Sequence, residues 1–122
     1  MKKVTDVIVK VASLPVDLHE VQNSSFYELL RDTGYFEMCN SVSESEIANV
    51  LLGNLELVEK WFEWSENKRT SDGWYLLKNK NGNYEVGRIY KNGTKEVSLE
   101  FCDKISACAA YIKREIDEMR EY

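Results

Sequence analysis

The sequence predicts an α+β fold: a three-stranded antiparallel meander at about residues 74–101, packed against N-terminal helices (about 26–33, 44–52 and 55–67) and a long C-terminal helix (about 104–120). Three observations predict it. The hydrophobic period switches from helical to alternating near Gly73. Two Asn-Gly pairs, Asn81-Gly82 and Asn92-Gly93, separate runs rich in β-branched and aromatic residues. Two Ser-x-x-Glu tetrads stand immediately before apolar residues at helical spacing.

The elements follow in chain order. Val4, Val7, Ile8 and Val11 have helical spacing, but so β-branched a segment suits an extended strand, and we read it as one. Pro15 ends that strand, and the residues to Gln22 read as a connection. Ser25-Phe26-Tyr27-Glu28 and Ser43-Glu44-Ser45-Glu46 both fit the capping box and open helices whose apolar residues begin at Leu29 and Ile47. Gly34 and Gly53 stand where left-handed C-terminal caps are expected. The third helix carries Leu55, Val58 and Phe62 on one line and Leu57, Trp61 and Trp64 on the next. Its remaining surface holds a favourable Glu56-Lys60 pair and a like-charged row, Glu59, Glu63 and Glu66.

In the meander, Val97, Leu99 and Phe101 alternate with Glu96, Ser98 and Glu100, so the first set should face the core. Gly87, inside the middle strand, marks a bulge or a place where an aromatic ring crosses the backbone. Asp103 suits the N-cap of the last helix, and Ile105, Cys108, Ala109, Ile112, Ile116 and Met119 form the stripe that covers the sheet. A chain of 122 residues matches one ordinary domain spanning 1–122.

Chemistry-bearing motifs are sparse. His19 is the only histidine, and no serine or cysteine is placed as its partner. Cys39, Cys102 and Cys108 are odd in number and lack CxxC spacing, so neither a disulfide framework nor a zinc site is expected, and no cofactor is implied. Gly82 and Gly93 belong to hairpin tips, not to a phosphate-cradling loop. No catalytic set is found, so the chain is not read as an enzyme. No apolar stretch reaches the roughly 18 residues of a membrane span, and Asp6 and Lys10 break the N-terminal apolar run, so a cytoplasmic protein is expected.

The net charge of −5 is uneven. From Glu37 to Glu66 there are seven acids and one base, Lys60. Such a surface repels nucleic-acid backbones and attracts a basic protein. The stretch Trp61–Tyr75 holds all three tryptophans around Lys68-Arg69. It is open to two readings: a structural junction, or a pocket at Trp61 and Trp74 in which Lys68 or Arg69 meets an anionic group.

The segment Ser65-Glu66-Asn67-Lys68-Arg69-Thr70-Ser71-Asp72-Gly73-Trp74-Tyr75, with Tyr35-Phe36 upstream, resembles an uncharacterised family of small bacterial domains with an S-(D/E)-x-K-R-T-x-x-G-W-Y signature. That likeness covers about residues 24–101 and implies no activity. In size, acidity and lack of a catalytic set the chain is also similar to the small α+β immunity proteins of interbacterial, contact-dependent-inhibition type toxin systems. The second resemblance implies a protein that neutralises a basic toxin, for example a nuclease, by covering its active surface. The partner-binding residues expected on that basis are Glu56, Glu59, Glu63 and Glu66, with Trp64 as an aromatic anchor. The alternative expectation is a small-molecule or peptide sensor using the pocket at the Trp61-Trp74 junction.

Overall fold

A computed structural model describes residues 4–20, 25–67, 73–90 and 92–119. Helices α1 (Val4–Ala12), α2 (Leu14–Glu20), α3 (Phe26–Thr33), α4 (Tyr35–Met38), α5 (Glu44–Leu52) and α6 (Leu55–Asn67) precede strands β1 (Gly73–Lys78), β2 (Tyr84–Ile89) and β3 (Lys95–Phe101). Helix α7 (Lys104–Met119) closes the chain, and a single 3-10 turn, Cys39–Ser41, links α4 to α5. The sheet is antiparallel in the order β1-β2-β3. Helix α7 lies against all three strands and α6 against β1.

The extended strand expected at the N-terminus is a helix. Val7, Ile8, Val11 and Ala12 turn to one side and are buried in the core, so packing of an amphipathic face overrides the strand preference of the β-branched residues. The expected connection after Pro15 is likewise helical as far as Glu20, and its last residues, 21 and 22, lie outside the described residues. Pro15 sits in the first turn of α2, where its missing N–H would have had no helical acceptor.

Ser25 Oγ accepts from the Glu28 amide at 3.1 Å to cap α3. The capping box is complete at α5, where Ser43 Oγ accepts from the Glu46 amide and the Glu46 carboxylate accepts from the Ser43 amide. Gly34 takes the expected left-handed cap, with φ of 89°. Gly53 does not: its φ is −83°, because the chain runs directly into α6 and the Asn54 side chain donates to the Val50 carbonyl.

Both hairpins have one design. The Asn79 amide donates to the Asn83 carbonyl and the Gly82 amide to the Asn79 carbonyl; Tyr90, Gly93 and Thr94 repeat the pattern. Among the described residues of these loops only the glycines adopt positive φ, 84° at Gly82 and 85° at Gly93, which marks three-residue loops ending in a glycine bulge instead of two-residue Asn-Gly turns.

The β2–β3 register slips between Val86 and Gly87, where Leu99 and Val97 are the facing residues, so Ser98 is the extra residue of a bulge in β3. The slip inverts the pleat. Leu99 and Phe101 pack on the core beside Leu76, Val86, Trp74 and Tyr84, whereas Val97, expected to face inward, is 55% exposed. Gly87 is also the crossing point of an aromatic ring: a Cβ there would lie 2.6 Å from Tyr75 Oη and against the Glu96 carbonyl.

Candidate functional site

Helix α6 divides its residues sharply. Val58, Trp61 and Ser65 are buried, whereas Glu56, Glu59, Glu63 and Glu66 lie exposed along the opposite side. The inward side is fastened at two places. Trp61 Nε1 donates to the Ala12 carbonyl at 2.8 Å, satisfying an acceptor that the C-terminus of α1 leaves open, and the ring meets Tyr111 and Phe26 edge-on. Ser65 Oγ accepts from the Leu76 amide at 2.7 Å and donates to the Leu76 carbonyl at 3.0 Å, so the helix takes up backbone groups on the outer edge of β1.

These anchors leave the acidic face of α6 fixed and turned outward. Lys104 Nζ bonds to the Glu59 carboxylate and lies 5.0 Å from the centre of the Phe62 ring. Lys60 approaches Glu63 at 3.8 Å, an exposed pair of small energetic value, and not Glu56 as the spacing suggested. Glu56 and Glu66 make no ion pair with any described residue. On α5, Glu44 receives Arg114 at 3.4 Å. Cations from α7 therefore offset two acids of the −6 segment, and the α6 face keeps its negative excess at the two ends.

Trp64 lies off the glutamate row. Its ring stacks on Phe26 with centroids 4.9 Å apart, and its Nε1 donates to Glu115 Oε2 at 3.4 Å. Lys68 and Arg69 lie outside the described residues. At the expected junction, Trp61 is fully buried in the core, and Trp74 has the guanidiniums of Arg88 and Arg114 over its ring at 5.6 and 5.8 Å. Arg88 is in turn paired with Glu118 at 2.8 Å.

The structure shows a polar group that sequence reasoning missed. Glu115 is 1% exposed, and its Oε2 accepts from Tyr111 Oη at 2.7 Å. Burial, followed by the neighbouring Glu115 charge, holds the Tyr111 phenol protonated far above its ordinary range, so it serves as a donor and not as a base. The signal was present in the sequence, since Glu115 falls on the stripe of α7 between Ile112 and Ile116. A second network joins α4 to α7: Tyr35 Oη donates to Asp117, and Lys113 Nζ donates to Tyr35 Oη at 2.7 Å and to the Cys39 carbonyl at 3.2 Å. Both networks bind the chain to itself.

Among the described residues no group of side chains is arranged to hold a metal ion, and no helix is long and apolar enough to cross a membrane. Comparison with protein-family models, with curated proteins and with solved structures finds no significant match for this chain.

Proposed function

We propose that this chain is a small acidic binding protein of the cytoplasm that engages a basic protein partner through the outer face of α6, in the manner of an immunity protein that covers a toxin's active surface. The observation that carries this reading is the alignment of Glu56, Glu59, Glu63 and Glu66 on one exposed helix face, held from behind by Trp61 and Ser65. The other charged clusters described above bond within the molecule. Carboxylates on a rigid support attract a cationic surface at long range and add pairing contacts once it docks, so they act chiefly on the association rate.

The test is the double charge reversal Glu63→Lys/Glu66→Lys. Both side chains are solvent-exposed, so the variant keeps its circular dichroism and thermal transition. Wild type and variant are used in parallel to capture proteins from the source cells and from the secreted fraction, with quantification by mass spectrometry. One basic partner is expected at near-equal stoichiometry with wild type. With the variant its association slows by roughly 10–100-fold at low salt. Equal capture by both proteins refutes the assignment of this face.

A further inference from the structure

We propose that the outward seam of α6, together with the corner between α5 and α6, docks a cationic amphipathic helix of the partner, with Leu52 and Leu55 as the apolar anchor. This rests on the reading that the α6 face meets a basic protein, and it adds what that protein presents there.

The corner is unusual within its own helices. Leu52 and Leu55 are 60% and 59% exposed, whereas Ile47, Val50, Leu51, Leu57, Val58, Trp61, Phe62 and Trp64 are buried or half-buried. Asn54 donates to the Leu51 carbonyl at 2.9 Å and Leu57 to the Asn54 carbonyl at 2.9 Å, which keeps the corner tight. The two leucines lie three residues apart, so their backbones are within about 10 Å of each other. A single exposed leucine is ordinary; two within three residues on one corner, followed directly by the exposed Glu56, set apolar side chains at the end of the acidic face.

Leu55, Glu59, Phe62 and Glu66 follow one another at intervals of four, three and four residues. That is the spacing at which one helix meets another along a seam, and here it alternates apolar with acidic side chains. A matching partner helix places leucine-like residues opposite Leu55 and the corner, and lysine or arginine opposite the glutamates. The molecule already shows that this seam accepts a cation, because Lys104 joins the Glu59 carboxylate and the face of Phe62 at one point. A partner cation forms the same two contacts once Lys104 moves aside.

The probe is a dye-labelled synthetic helix of about 18 residues, roughly five turns, with leucines at heptad spacing and arginines beside them. A peptide of the same composition in scrambled order serves as control, and binding is followed by fluorescence anisotropy. Wild type should bind the patterned peptide at least about tenfold tighter than the scrambled one, and Leu52→Ser/Leu55→Ser should remove most of that difference. Lys104→Met should tighten binding several-fold. Lys80→Met, which removes the same charge from an exposed hairpin tip, should not. Absence of saturable binding, equal affinity for the two peptides, or an unchanged affinity in the double serine variant overturns the proposal. The acidic-face reading is judged separately by Glu63→Lys/Glu66→Lys: if that variant loses the peptide while the double serine variant does not, the face stands and the anchor falls.

Discussion

Replacing Trp61 by phenylalanine tests whether the bond between α6 and the end of α1 is closed in solution. The indole N–H that meets the Ala12 carbonyl at 2.8 Å disappears, and Ala12 is itself fully buried. A buried acceptor deprived of its donor costs about 1–3 kcal/mol. The smaller ring also leaves a void between Tyr111 and Phe26, which adds roughly 1–2 kcal/mol. The expected loss is therefore about 2–5 kcal/mol, a large part of the ~5–15 kcal/mol of an ordinary domain. Urea unfolding followed by circular dichroism should give a lower midpoint with an unchanged slope, since the surface exposed on unfolding is the same. Hydrogen exchange supplies the local reading: the amides of Val7, Ile8 and Val11 should lose protection before those of α7. A loss under about 1 kcal/mol, with α1 protection unchanged, would refute the account, because a closed buried bond cannot be that cheap to remove.

Three further outcomes follow from the same structure. Gly87→Ala forces a methyl group against the Glu96 carbonyl and the Tyr75 ring; a loss of at least about 1–3 kcal/mol is expected in thermal unfolding, and a neutral substitution would disprove the close crossing. Asp103 caps α7 by accepting from the Ser106 hydroxyl and from the Ser106 and Ile105 amides, which hold its carboxyl below the ordinary value of 3.8. Its stabilising contribution is therefore complete above about that pH and is lost as pH falls through the lowered folded-state value; Asp103→Asn keeps the cap, and its stability should change less than that of wild type in acid titration. A thiol reagent should modify Cys102 quickly, whereas burial pushes the Cys108 thiol up and shields it, so Cys108 should react only on unfolding, as peptide mapping would show.

Features governed by nearby residues were legible in the sequence. The Ser43-Glu46 capping box, the left-handed Gly34, the hairpin tips and the crossing at Gly87 each depend on a few neighbours, and each stands as the spacing implied. What escaped depends on distant contacts. The fate of the α1 segment turns on its packing against α3, α4 and α5, against which β-branched preference is a weak term. Val97 lost its place because one extra residue in β3 inverts every side chain before it, and a pleat inversion has no signature in the alternation itself. Trp64 and Glu115 belong together: each lies on the apolar line of its own helix, but the bond between them spans 51 positions and has no local signature. The acidic row was legible because its glutamates repeat along one helix face. The cation that joins Glu59 comes from α7, which no local pattern reveals.

The bond of Ser65 to both backbone groups of Leu76 has a consequence for assembly. Fibrous growth of a sheet requires two open borders, one to receive a strand and one to offer the next. Here α6 lies along the border at β1, and among the described residues no strand pairs with the outer border of β3, which is bent by its bulge and carries Lys95, Glu96 and Glu100. A sheet with one covered border can pair along the other without continuing into a fibre. A single hydroxyl on a helix thus occupies part of the border at β1, and it does so from the back of the acidic face of α6.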